Sequence, residues 1–205
     1  MSLPKSTVYR LSKYRRFLSR YLYVEKPHVF SHDLARMTGV HPVQVRRDLM
    51  LIGISGNHRK GYRVDELINL IDNTLDHGRV NKICLVGIGK LGRAILHFMN
   101  ETDNNLLMKA AFDLDPSVNG TDIEGVPAFH ITHMDRVIKE MEIDIAVLTT
   151  PADDIDNIAK LLVSAGIKGI LNFAPAQFDV PEGIYVKECD VITYIDEIGY
   201  YIDKG

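Results

Sequence analysis

Cysteine is scarce in this 205-residue chain, with only Cys84 and Cys189 present. Two thiols cannot build the multi-bridge framework of a small secreted domain. Cys84 also falls inside an apolar strand pattern, where a thiol acts as a small hydrophobe, which leaves Cys189 as the only candidate redox thiol. Long apolar runs are missing as well. The opening MSLPKSTVYR lacks the apolar core of about 7–15 residues that marks a secretion signal, and no stretch approaches the ~20 apolar residues of a membrane-spanning helix. The expected compartment is therefore the cytoplasm. The eight histidines lack metal-ligand company. His130 and His133 stand three apart with no Cys or carboxylate pattern to complete a zinc site, so no metal is expected.

What the chain does have is charge sorted by position. Residues 1–63 carry 13 Lys or Arg against 3 Asp or Glu, whereas residues 64–205 carry 11 against 24. The overall net charge of −3 conceals a basic front and an acidic back. A compact basic segment is the electrostatic footprint of a polyanion-binding unit. At 46% hydrophobic and 25% charged residues, the chain has the composition of an ordinary globular protein with room for two small domains.

In the front, residues 7–23 read as a helix with Val8, Leu11, Leu18 and Leu22 on one stripe and Arg10, Lys13 and Arg20 largely off it. Ser31 is a plausible N-cap for a short second helix that Gly39 ends, and Pro42 opens a third at its first turn. Ala35, Gly39 and Val45 suit two helices crossing at a tight turn. On the third helix Val45, Leu49 and Ile52 share one face, leaving Val43, Arg47 and Met50 pointing away, flanked by Gln44 and Arg46. Outward Arg and Gln match what base edges and phosphates require: Arg for guanine or phosphate, Gln for adenine. Gly53, Gly56 and Gly61 then punctuate a short hairpin with His58, Arg59 and Lys60 at its tip, the wing of a winged helix. An amphipathic helix over residues 64–77, stopped by Gly78, closes the first domain.

In the back, KICLVGIGKLGRAILHF holds a strand, then Gly87, Gly89 and Gly92 in GxGxxG spacing, then a helix. Such glycines permit a tight turn, close approach of backbone to a diphosphate, and close packing of helix on strand. A second strand ends at Asp113, 21 residues beyond Gly92, where a carboxylate can accept bonds from ribose hydroxyls. Leu114 and Asp115 follow it, with no Arg to receive a 2′-phosphate, so NAD(H) is expected over NADP(H). A helix over 132–141 with a capping box of Thr132 and Asp135, a strand 143–148, a helix 153–165 and a strand 169–173 continue the alternation. This predicts an α/β parallel doubly wound sheet whose ligand contacts come from the loops beyond the strands: Thr149, Thr150 and Pro151, and Asn172, Phe173, Ala174 and Pro175. Residues 179–205 leave no room for a substrate domain with a general acid or base, so no enzyme is expected. They offer a short strand near 184–187 and an apolar helix over 190–202 suited to burial against a second subunit.

With these motifs in hand, the chain resembles the Rex family of redox-sensing transcriptional repressors over nearly its whole length. The carriers are QVRRDL at 44–49, the Gly-rich wing closing with Gly61 and Tyr62, GIGKLG at 87–92, FDLDP at 112–116, GIKGILNFAP at 166–175, and the C-terminal helix. The resemblance implies a winged-helix DNA-binding domain over 1–78, a Rossmann NAD(H)-binding domain over 79–188, and a dimerisation helix over 189–205 exchanged between subunits of a homodimer. It also implies tight operator binding with NAD⁺ or no ligand and release by NADH. In some relatives an Arg, a Tyr and an Asp relay redox state. Arg16 and Asp190 look like matches, but the middle position is Phe98, which lacks a hydroxyl worth ~1 kcal/mol as a hydrogen-bond partner. The resemblance further implies cofactor contacts by the GIGKLG residues Ile88, Lys90 and Leu91 and by Phe98, with Val191 near the nicotinamide. Two other readings stay open: a DNA-binding regulator sensing a different nucleotide such as coenzyme A, and a small NAD-dependent enzyme.

Overall fold

The computed structural model describes residues 3–22, 27–54, 60–76, 79–101 and 105–202. The chain divides into two compact units, Met1–Arg79 and Val80–Gly205.

The first unit holds α1 (Lys5–Leu22), β1 (His28–Val29), α2 (Ser31–Thr38), α3 (Pro42–Leu51), β2 (Tyr62–Arg63) and α4 (Val64–Asp76). Leu11, Tyr14 and Leu18 of α1 meet Leu34, Val45, Leu49, Leu67 and Ile71 in one core. Val8, expected on that stripe, is instead exposed; Thr7 takes the buried position of the first turn. The reason is polar. Thr7 and Arg10 turn inward to a buried carboxylate, Asp48 of α3, so the buried stripe of α1 runs through Thr7, Leu11, Tyr14 and Leu18.

The turn between α2 and α3 follows its glycine. Gly39 adopts φ +70° and its N–H returns to the Ala35 carbonyl, while Ala35 and Val45 are buried beside it. Ser31 does not cap α2, because Phe30 holds the cap position and Asp33 accepts the Phe30 N–H at 3.1 Å. The Ser31 hydroxyl instead accepts from Arg46 Nη1 at 3.2 Å. β2, which closes the glycine-rich segment, pairs antiparallel with β1. Residues 55–59, including His58 and Arg59 of the expected wing tip, lie outside the described residues.

The second unit is a seven-stranded sheet in the order β5-β6-β4-β3-β7-β8-β9. Its strands are β3 (Asn81–Val86), β4 (Leu106–Asp113), β5 (Asp122–Ile123), β6 (Val126–His130), β7 (Ile145–Leu148), β8 (Gly169–Asn172) and β9 (Tyr185–Glu188). All pairings are parallel except β5 with β6. From β3 the chain winds through β4 to β6, returns, and continues through β7 to β9 on the other side, so the topological switch lies between β3 and β7. Alternate side chains of β3 serve two cores. Ile83 and Leu85 pack with Leu96 of α5 (Lys90–Asn100), while Cys84 and Val86 pack with α6 (Met134–Met141) and α7 (Ile155–Ala165). Both faces are covered, which is why these strands read as continuous apolar runs. Burial pushes the Cys84 thiol up to about 12 and makes it inert.

The Thr132–Asp135 capping box does not form. A 3₁₀ turn over Ile131–His133 precedes α6, and the His130 ring takes the capping role, with Nδ1 within 2.8 Å of the Thr132 hydroxyl. Among the described residues no helix is long and apolar enough to cross a membrane.

Candidate functional site

The glycine motif sits at the switch point and each glycine has its own task. Gly87 takes φ +99°, and a Cβ there would lie 2.9 Å from the Thr149 carbonyl carbon at the end of β7. At Gly92 a Cβ would stand 2.0 Å from the Gly87 carbonyl oxygen, so α5 packs on the loop with nothing to spare. Gly89, the N-cap of α5, has nothing within 4 Å of its Cβ position. That open side is where a diphosphate can approach a helix N-terminus.

Beside these glycines lies an open cleft of about 430 Å³. Of the expected contacts, Gly87, Gly89, Leu91, Asp113, Thr149, Thr150, Pro151, Phe173 and Pro175 wall it. Asp113 is set by two backbone bonds: Oδ2 accepts the Ile88 N–H at 2.5 Å and Oδ1 the Asp115 N–H at 3.0 Å. The carboxylate thus keeps a fixed orientation, with lone pairs left for a diol. The Thr149 hydroxyl donates to the Gly87 carbonyl at 2.7 Å and ties β7 to the loop. Thr150 Oγ1 is buried and has no partner among the described residues, although Thr150 lines the cleft. A buried orphan hydroxyl calls for an outside partner. The open glycine, the aligned carboxylate and the orphan hydroxyl together fit a dinucleotide.

Other expected contacts lie elsewhere. Asn172 is fully buried and its polar atoms serve the loop: Nδ2 donates to the Ala176 carbonyl at 2.9 Å and to Glu188 Oε2 at 2.7 Å, while Oδ1 accepts the Ala174 N–H at 2.9 Å. It fastens the loop after β8 to β9. Ile88 and Ala174 face the core, Lys90 is exposed at the start of α5, and Gly92 packs beneath. Phe98 and Val191 are exposed and stand outside the cleft wall.

In the first unit, α3 turns Val43, Arg47 and Met50 outward and buries Val45, Asp48 and Leu49. Lys60 is exposed. Gln44 and Arg46 are half-buried and already tethered, Gln44 Nε2 to Asp48 Oδ1 at 3.0 Å and Arg46 to Ser31. Asp48 is the residue that sequence reasoning missed. Arg10 grips it through Nε at 2.6 Å and Nη2 at 2.7 Å, Tyr14 donates its hydroxyl at 2.9 Å, and Thr7 lies at 3.4 Å. Burial alone would raise the Asp48 carboxyl, but the donors Arg10, Gln44 and Tyr14 outweigh it and hold it below the usual carboxylate range. The signal was legible: an acid on the apolar face of α3, and an Arg and a Tyr four apart on α1.

A family model described as "CoA binding domain" matches residues 79–176, and one described as "Putative DNA-binding protein N-terminus" matches residues 2–49. A protein of Syntrophobacter fumaroxidans named redox-sensing transcriptional repressor Rex is 38% identical over 204 residues, spanning 99% of this chain and 97% of its own. The chain belongs to the Rex family. Among solved structures, the Rex-family repressor RSP in complex with β-NAD⁺ and operator DNA superposes with a TM-score of 0.88 at 28% identity, covering 100% of this chain and 94% of that one. RSP in complex with β-NADH gives 0.85 at 27% identity, covering 100% and 96%.

Within this Rex-family chain the three positions expected of a redox relay lie on α1, on α5 and just before the last helix. Arg16 is exposed on α1 and Phe98 is exposed on α5. Asp190 caps α8 (Val191–Ile202): it accepts from Ile192 N–H at 3.0 Å, Thr193 N–H at 3.2 Å and the Thr193 hydroxyl at 2.6 Å. The Thr193 hydroxyl bond and these N–H groups hold its carboxyl below the usual range.

Proposed function

We propose that this chain is a transcriptional repressor that binds double-stranded operator DNA through its first unit and releases it when the cleft of the second binds NADH. One observation carries the reading: a single Rex-family chain joins an outward basic helix, α3, to a cleft with an open glycine, an oriented carboxylate and an orphan hydroxyl. The protein regulates and does not catalyse. In this reading Gly87, Gly89 and the α5 N-terminus receive the diphosphate, Asp113 the adenosine ribose, and Thr150 the remaining polar contact. A bound nicotinamide would supply the signal, being a cation when oxidised and a neutral puckered ring when reduced. The chain's part is to make that difference unequal between two arrangements, since a ligand shifts an equilibrium only by its differential affinity.

A second copy completes the assembly. α8 has no buried residue and exposes Val191, Ile192, Tyr194, Ile195, Ile198 and Tyr201. So continuous an apolar surface suits exchange with a partner subunit in a homodimer. Val191 at its start would then pack near a nicotinamide, and Arg16, Phe98 and Asp190 would be the positions through which occupancy is passed on. His58, Arg59 and Lys60 would add contacts to phosphates or the minor groove.

Two substitutions separate the units. Asp113→Ala is expected to weaken NADH binding about 10- to 100-fold, as loss of a charged acceptor removes roughly 1.5–3 kcal/mol. Ligand-free operator binding should persist. Calorimetry with NADH, NADPH and coenzyme A as titrants checks the ligand class; equal affinity for all three would contradict it. Arg47→Ala is expected to lower the slope of log affinity against log salt by about one, with NADH binding unchanged. A salt slope equal to that of the unmodified protein would remove Arg47 from the interface.

A further inference from the structure

Gln44 and Asp48 stand one turn apart on α3, and their contact decides which way the glutamine amide points. A carboxylate only accepts hydrogen bonds, so the group 3.0 Å from Asp48 Oδ1 must be the amide nitrogen. The carbonyl oxygen Oε1 is then directed elsewhere and has no partner among the described residues. Asp48 cannot swing away to release it. Its side chain is fully buried, and Arg10, Tyr14 and Thr7 hold it from α1.

We propose that Asp48 is a specificity-determining residue of the DNA-reading helix, locking the Gln44 amide so that it reads adenine and rejects guanine. This rests on the operator-binding reading above and deepens it. In the major groove adenine offers an N6 amino donor beside the N7 acceptor, whereas guanine offers two acceptors, O6 and N7. A free glutamine can serve either purine by rotating its amide through 180°. A glutamine anchored through its nitrogen keeps Oε1 forward: it accepts from adenine N6 and places one oxygen against another at guanine O6. Arg10 and Tyr14, which touch no DNA in this scheme, act through Asp48 as positioning residues.

The test uses the full-length protein and an operator duplex. Gln44→Ala first identifies the base pair concerned, as the position at which base preference is levelled. At that position the adenine is replaced in turn by guanine and by unsubstituted purine, which lacks any group at C6. The unmodified protein is expected to bind in the order adenine, purine, guanine, with about tenfold between the first and last. Purine ranks above guanine only if the amide cannot turn. In Asp48→Asn the neighbouring amide can donate to or accept from Gln44, so guanine is expected to rise to the level of purine or above. Preferences at the other positions should stay as they were.

Guanine bound as well as or better than purine by the unmodified protein overturns the lock, and that comparison stands even if Asp48→Asn does not fold. A uniform loss of affinity over every sequence in Asp48→Asn, with base preference intact, reduces Asp48 to a structural residue and also overturns it. If Gln44→Ala levels no position, Gln44 reads no base and the proposal fails while operator binding stands. Failure of the unmodified protein to distinguish operator from unrelated duplex would instead remove the operator-binding reading itself.

Discussion

Gly92→Ala is expected to abolish NADH binding and to destabilise the second unit, whereas Gly89→Ala, three residues earlier, should impair binding without harming the fold. The added methyl at Gly92 would lie 2.0 Å from the Gly87 carbonyl oxygen and 3.0 Å from Thr149 Oγ1. Gly87 cannot retreat, because its N–H donates to the Phe112 carbonyl at 2.8 Å and its own carbonyl accepts from Thr149 at 2.7 Å. α5 must therefore move away from β3 and β7, breaking the packing of Leu96. Overpacking of this kind costs about 1–3 kcal/mol, and the loop is displaced where ligand and backbone must meet most closely. At Gly89 φ is −73° and nothing lies within 4 Å of the new methyl, so neither strain nor clash arises in the free protein. The methyl would occupy the approach to the α5 N-terminus instead. Thermal melting and NADH calorimetry on the pair check this. Equal melting points for the two variants would mean that the Gly92 contact is softer than its geometry.

Asp48→Ala should cost more than any other single change in the first unit. It would leave the Arg10 guanidinium, the Tyr14 hydroxyl and the Gln44 amide without the acceptor they share. Removing one partner of a buried ion pair typically costs about 3–5 kcal/mol, and Arg10, only 17% exposed, can recover only part of its hydration. α1 and α3 would lose their polar tie, and operator affinity should fall more than a hundredfold while NADH binding persists. The pH dependence has a definite sign. The Asp48 carboxyl is held below its ordinary value, so its stabilisation is complete above the unfolded value of about 4 and is lost as pH falls through the lower folded value. Acid titration of unfolding should show the first unit of Asp48→Asn less sensitive below about pH 4 than that of the unmodified protein. A steeper acid loss in the variant would contradict the network.

The parts of the molecule most legible in the sequence are those set by local rules. Gly39 and Pro42 fixed the α2–α3 turn because one residue must adopt positive φ and the other lacks an N–H. The β–α alternation and the GxGxxG spacing placed the cleft, since loops at the carboxyl ends of parallel strands converge at the switch point. Contacts across elements were harder. The pattern of its own helix points Arg10 outward, where a charge belongs in water; its inward turn depends on Asp48, 38 residues away. Loop position alone points Asn172 toward a ligand, whereas its amide is held by Glu188 on the neighbouring strand. The Thr132–Asp135 box failed because His130, just before it, offered a ring nitrogen to the same turn. A partner distant in sequence, or a ring nitrogen capping in place of a hydroxyl or carboxylate, outcompetes the local rule.

The most direct measurement is operator affinity of the full-length protein across NADH/NAD⁺ ratios at fixed salt and total nucleotide. Tight binding is expected with NAD⁺ or no nucleotide, and about a hundredfold loss at saturating NADH, equivalent to about 2.7 kcal/mol of coupling. Operator affinity unchanged at saturating NADH, with NADH binding itself verified in the same samples, would contradict it.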